Sequence, residues 1–324
     1  MSELRIYEGQ RRWVADNFFS SIKKVRILKN ILSFVLNSYW YLIYHNYLVK
    51  NRELQNKYLG DKCFILGNGI SLGDIDLRKI SDVYTFGCNE IFYHKYFNEM
   101  KLNFYTIIEP FYSFRRDKNY IEDINKLYSE TYEFFKNHDT VFFFHASLKK
   151  YFKKKHFFLD KDIYFLLGDK YNLNKHSLAY DITKGISFTG GAVFTMIALS
   201  AYMGFKEIYL LGCGYTYSPI QLYHFYNRPK ISKKHTKSEI NNRIEKFIQE
   251  NDGLKLFGIE EDDEFIYPLF VTDSPVNHFH FELKKYFEGK GIKIYNVVPE
   301  GFESPIYEKI SWEEVLLKIN KGSL

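Results

Sequence analysis

A chain of 324 residues with 46% apolar and 26% charged side chains is long enough to bury a large core and too apolar to be disordered. Its net charge of +6 is modest for this length; it suits an acidic small molecule or an anionic surface and argues against nucleic-acid binding, which needs a denser basic face. Three cysteines, Cys63, Cys88 and Cys213, are odd in number, lack zinc-type spacing and lie in apolar runs, so they are expected as buried thiols in a reducing compartment.

Residues 1–58 differ in texture from the rest. Phe18 to Val49 is aromatic and aliphatic, with Lys23, Lys24, Arg26 and Lys29 in its first half. No cleavable signal peptide is expected, because the N-terminus stays polar for many residues. Ile31 to Val49 nears the length of a bilayer span, but Asn37, Ser38, His45 and Asn46 interrupt it, and Tyr39, Trp40, Tyr41, Tyr44 and Tyr47 belong to the water–lipid boundary. The expectation is a helical extension lying on an anionic membrane surface, with packing on the main domain or on another subunit as the open alternative. The protein is then expected in the cytoplasm, peripheral on the inner membrane.

From Lys62 strands alternate with helical segments, which predicts an α/β chain with a mostly parallel, Rossmann-like sheet over 59–324. The apolar run Cys63 to Leu66 ends in Gly67-Asn68-Gly69, and Ser71 opens a segment containing Asp74 and Asp76. One reading is a nucleotide-phosphate cradle, in which glycines admit a ligand to the backbone and a helix start offers unpaired N–H groups. The other is an ordinary strand-to-helix turn. Val83 to Cys88 is a second strand ending at Asn89, and Phe104 to Ile108 a third ending at Glu109-Pro110. The charged segment Asn119 to Asn137 reads as a helix before a strand at Thr140 to His145, and Lys149 to His156 as a solvated loop able to touch anionic lipid. Thr189-Gly190-Gly191 precedes an apolar helix, Ala192 to Met203. The strand Ile208 to Leu211 follows, ending at Gly212-Cys213-Gly214. A mobile loop is expected at about 218–240, where four lysines cluster, then helices at Glu239 to Glu250 and Phe281 to Gly289. Ile292 to Val297 reads as the last strand and Trp312 to Ile319 as the closing helix.

Four of these segments occur in an order that resembles a known family: Gly67-Asn68-Gly69-Ile70-Ser71-Leu72, Phe86-Gly87-Cys88-Asn89, Thr189-Gly190-Gly191, and Gly204 through Gly212. They resemble the bacterial sialyltransferases typified by the Campylobacter lipooligosaccharide enzymes, and the wider related domain family of surface-polysaccharide proteins, over about residues 62–300. The resemblance implies a GT-A-like Rossmann domain and a metal-independent, inverting transferase without a cofactor. Such an enzyme moves a nonulosonic acid such as sialic acid from a CMP-activated donor to a glycan or lipid-linked glycan acceptor in surface-glycan biosynthesis. It further implies that Asn68 and Ser71 contact the nucleotide phosphate and ribose, that Asn89 reaches the cytidine or sugar, and that Thr189, Gly190 and Gly191 wall the cytosine pocket. Gly212 and Glu109 fall beside the same pocket. Three departures stand out: Gly190 replaces a serine, Gly214 stands where the family has an aspartate, and Glu109 replaces an asparagine before Pro110.

Transfer from such a donor needs a base for the acceptor hydroxyl and a group for the departing phosphate. The resemblance points to a histidine base between the loop and the last helices, where His278 is the first candidate and His280 the second; a helix cap or surface role is the structural alternative. His224 is the third candidate, and Tyr217 is taken for the leaving phosphate, beside Tyr215 and Tyr226. Asp74-Ile75-Asp76 spells the D-x-D of metal-dependent glycosyltransferases, but these acids are placed in a first helical turn, and the run Glu260 to Glu264 has no ligand spacing, so no metal is expected. A pterin diphosphokinase-like transferase and a non-catalytic nucleotide- or glycan-binding protein are the alternative functions. A homo-oligomer is left open.

Overall fold

A computed structural model of the chain describes residues 38–39, 41–107, 118–168, 181–186, 191–213, 275–297 and 306–321. Its centre is one eight-stranded sheet: β1 (Lys62–Leu66), β2 (Tyr84–Cys88), β3 (Phe104–Ile107), β4 (Val141–His145), β5 (Ile163–Leu166), β6 (Glu207–Leu211), β7 (Lys293–Val297) and β8 (Glu308–Ile310). The strand order is β5-β4-β3-β2-β1-β6-β7-β8, and each neighbouring pair is parallel. The expected parallel α/β sheet is therefore present. Ile292 to Val297 does not hold the last strand, as the sequence suggested, because β8 adds a short edge beyond it.

Buried on both faces, parallel strands are apolar along their whole length. In β1, Cys63 and Ile65 face one core with Phe86, Phe104, Ile208 and Leu210, while Phe64 and Leu66 face a second with Tyr105, Phe142, Phe144 and Tyr209. The helix α4 (Gly191–Met203) is apolar around its circumference because it crosses the first core, where residues 194–200 are all buried. α5 (Pro275–Glu288) packs beside it through Leu283 and Phe287. The second face is covered by α2 (Lys118–Phe135), whose Tyr128, Thr131 and Phe135 point inward while Lys126 and Glu130 pair outside. The aromatic share of the sequence serves this packing: Phe135 lies 4.5 Å from Tyr105 and 5.3 Å from Phe142, ring centre to ring centre. α6 (Trp312–Lys321) closes the same face behind a capping box, in which the Ser311 N–H donates to Glu314 and the Glu314 N–H to the Ser311 hydroxyl.

Lys149 to His156 is a helix, α3 (Lys149–Lys155), rather than the expected loop. Tyr151 and Phe152 hold it down by packing on Tyr128, Phe144 and Phe158. The segment before β1 is tied to the sheet. In α1 (residues 41–49), Tyr44 and Leu48 pack on Ala146 and Leu167. Farther on, Tyr58 stacks on Phe205 with ring centres 5.1 Å apart.

Candidate functional site

From β1 the strands run outward to β5 on one side, and from β6 to β8 on the other. The order therefore reverses between β1 and β6. In open α/β sheets such a switch point, at the carboxyl ends of the strands, is where a crevice opens for a ligand. The two turns that meet there are Gly67-Asn68-Gly69 after β1 and Gly212-Cys213 after β6.

The glycines have a packing cause. The Gly67 N–H donates to Leu211 O (2.7 Å) and the Gly69 N–H to Gly212 O (2.8 Å). A Cβ on Gly67 would stand 2.5 Å from Gly212 O and 2.8 Å from the Cys213 sulfur, and a Cβ on Gly69 would stand 2.5 Å from Gly212 O. Gly212 itself has a left-handed φ of +65°, which favours glycine. Gly67 and Gly69 thus owe their lack of a Cβ to the close approach of the two turns, and their own N–H groups are held by the neighbouring turn. The expected α-helix start is corrected. Ser71 lies, half-buried, in a 3-10 turn (Ile70–Asp74). Asp76 begins a second turn (Leu77–Ile80), accepting from the Arg78 N–H at 3.2 Å and from Arg78 Nε at 2.9 Å. Arg78 pairing holds the Asp76 carboxyl below its ordinary range, so this half of the D-x-D is an ion pair.

Asn68 is what these turns present. Its side chain is buried, its Nδ2 donates to Cys88 O at 3.1 Å, and its Oδ1 has no hydrogen-bond partner. Since Nδ2 is anchored on Cys88, the open atom is an acceptor, suited to a hydroxyl or amino group of a ligand rather than to a phosphate oxygen. Beside it the chain leaves β2 at Asn89, which takes a left-handed φ of +48° and accepts the Tyr105 hydroxyl at its carbonyl (2.5 Å). Burial raises the Tyr105 hydroxyl well above its ordinary pKa, so it stays a donor. His94 fastens the 3-10 turn that follows β1 to the segment that follows β2. Its Nδ1 accepts from the Tyr96 N–H (3.3 Å), which leaves Nε2 protonated and donating to Leu72 O (3.0 Å). Burial lowers the His94 pKa. Sequence reasoning set this residue aside as structural, and the buried Glu90 next to Asn89 was not singled out, since neither stands in a recognisable pattern.

The three thiols are buried and free, as expected, and burial raises all three, Cys213 to about 12. Gly191, with φ +81°, opens α4. His280 lies inside the fold: only 1% exposed, with Nδ1 2.8 Å from the Tyr307 hydroxyl and its ring edge-on to Phe194. That placement corrects its candidacy as a base, because a buried ring bonded to tyrosine is not presented to a sugar hydroxyl. His278 lies in the backbone of α5. Tyr217, His224, Glu109, Thr189 and Gly190 fall outside the described residues. So does the expected loop at about 218–240.

No protein-family model matches the chain, and no curated protein matches it in sequence. Among solved structures it is similar to the sialyltransferase CstII from Campylobacter jejuni, solved in complex with a substrate analogue, cytidine-5'-monophosphate. The identity is 16% and the TM-score 0.39, covering 78% of this chain and 85% of that one. It is also similar to the MAf glycosyltransferase from Magnetospirillum magneticum AMB-1, at 12% identity and a TM-score of 0.44, covering 83% of this chain and 38% of that one. Among the described residues no helix is long and apolar enough to cross a membrane.

Proposed function

We propose that the chain is a glycosyltransferase that binds a nucleotide-activated sugar in the crevice between the β1 and β6 turns. The observation that carries this reading is the buried, unpartnered Oδ1 of Asn68 at the point where the strand order reverses. An acceptor atom there suits a ribose hydroxyl, with the nucleotide lying across the turn toward Asn89.

The sequence resemblance specifies the donor further, as a CMP-activated acidic sugar passed with inversion to a glycan acceptor of the cell surface. The acceptor hydroxyl would attack the anomeric carbon as the CMP phosphate departs, giving its proton to a general base. His278 takes that role in this reading, since His280 is held by Tyr307. A metal is not part of it, and activity is expected to persist in excess chelator.

Calorimetric titration with CMP tests the site. Wild-type protein should bind, and Asn68→Ala should weaken binding by about 1–3 kcal/mol, beside a fall in melting temperature from the lost bond to Cys88 O that leaves the protein folded. Unchanged affinity in a folded Asn68→Ala protein rules out the crevice assignment. Stabilisation by ATP alone would favour the diphosphokinase alternative, and by no nucleotide the binding-protein alternative.

A further inference from the structure

α1 has two unlike sides. Tyr44 and Leu48 turn inward onto Ala146 and Leu167, with Tyr41, Tyr47 and Phe165 around them. The outward side carries Leu42 and Ile43, and Tyr39, just before α1, precedes them at helical spacing. Leu42 is 74% exposed, and Ile43 and Tyr39 are 41% and 40% exposed. A helix docked on a domain normally shows polar residues to water. This one shows an apolar stripe.

α1 meets α3, whose sequence Lys-Lys-Tyr-Phe-Lys-Lys-Lys holds five lysines and no acid. Tyr151 and Phe152 fix its inner side, so Lys150, Lys153, Lys154 and Lys155 stand on the surface. The two helices are joined where Lys149 Nζ lies 3.3 Å from the centre of the Tyr47 ring. Through that contact both helices flank the β5 edge of the sheet, one with an exposed apolar stripe and the other with an exposed lysine row. Ala146 and Leu167, on which α1 rests, follow β4 and β5 directly. The surface thus begins at the end of the sheet where the β1 and β6 turns lie.

We propose that this edge is a docking surface for an anionic lipid bilayer. Tyr39, Leu42 and Ile43 enter the headgroup boundary, and the α3 lysines lie over anionic headgroups. Charge selects the bilayer over a second copy of the chain, because a two-fold contact through this edge would oppose one lysine row to another. The contact does not depend on the transferase reading. It does supply a purpose for it, since a lipid-linked acceptor would be delivered at the crevice end of the sheet.

The test is co-sedimentation of the full chain with phosphatidylcholine vesicles, with and without phosphatidylglycerol, beside a CMP thermal-shift measurement. Binding is expected only with phosphatidylglycerol and should weaken as salt rises. The paired variants Leu42→Glu/Ile43→Glu and Lys153→Glu/Lys155→Glu should each lower partitioning by about tenfold or more, with the melting temperature and any CMP shift unchanged. No binding by wild type, undiminished binding by both variants, or loss from one pair alone overturns the proposal. So does a dimer, seen by light scattering, that dissociates on Leu42→Glu/Ile43→Glu. A chain that binds vesicles but no CMP keeps this surface and sinks the transferase reading; one that binds CMP but no vesicles does the reverse.

Discussion

Asn51 at the β5 edge and Asn68 at the end of β1 are both buried, both donate through Nδ2 to a backbone carbonyl, and both leave Oδ1 without a partner. Their surroundings differ. Asn51 bridges two segments, reaching Phe165 O at 2.9 Å and Ile182 O at 2.7 Å, and is completely enclosed. Asn68 makes one such bond, to Cys88 O, and stands where the strand order reverses. An unpaired buried acceptor is thus not by itself the mark of a ligand. Position at the switch point is why the proposed binding role falls to Asn68 and leaves Asn51 a clamp.

The comparison breaks most visibly at Gly67, which shapes the turn that presents Asn68. In Gly67→Ala the new methyl would meet a backbone carbonyl at 2.5 Å, and a carbonyl cannot rotate away as a side chain can. The β1 and β6 turns must separate, and the hydrogen bond from Gly67 N–H to Leu211 O goes with them. A loss of about 3 kcal/mol or more in chemical denaturation is expected, with CMP binding lost in the folded fraction. A variant as stable as wild type would mean that the turns are not packed as described.

Asn51→Ala sharpens the other half of the comparison. Two carbonyls lose their donor inside the protein, and one of them belongs to an edge strand. Stability should fall by about 2 kcal/mol in urea unfolding while CMP affinity stays at the wild-type value. Asn68→Ala should move affinity and cost less stability than Asn51→Ala, since one buried carbonyl, Cys88 O, loses its donor rather than two. If both variants changed both quantities alike, the clamp and the binding residue would not be separable.

Six strands were legible in the sequence because a strand buried on both faces is an uninterrupted apolar run, as Cys63 to Leu66 and Ile208 to Leu211 are. β5 and β8 were not: these edge strands have four and three residues, β5 alternates half-buried with buried positions, and two residues of β8 are exposed lysine and glutamate. The α3 helix was hidden by its lysines: only Tyr151 and Phe152 carry the inward pattern, too little for a period to show. At the site, the place of the turn was legible and its reason was not. Gly67 and Gly69 suggested the close approach of a ligand, whereas the group that approaches them is the Gly212 carbonyl, far along the chain, with Leu211 O accepting from the Gly67 N–H. A pattern of neighbouring residues cannot reveal a partner contributed by the other half of the fold.

The smallest expected effect separates the two ends of the sheet by pH. His94, in the segment after β2, and His138, whose ring lies tilted against Phe97 before β4, both have pKa values lowered from 6.5 by burial. For each, the unfolded chain binds a proton more readily than the native protein. Stability from this source is complete above 6.5 and is lost as pH falls toward the lower folded value. Melting temperature should therefore decline below about pH 6.5, and both His94→Gln and His138→Gln should flatten that decline. Ligand binding divides them. Protonating His94 turns its Nδ1 from an acceptor for the Tyr96 N–H into a donor, which loosens the ring that holds Leu72 O beside Asn68. His138 touches no residue of the crevice turns. CMP affinity should thus fall with pH in the wild type and in His138→Gln, and fall less in His94→Gln. An affinity profile that His94→Gln leaves unaltered would show that His94 only fastens the fold and does not position the turn that carries Asn68.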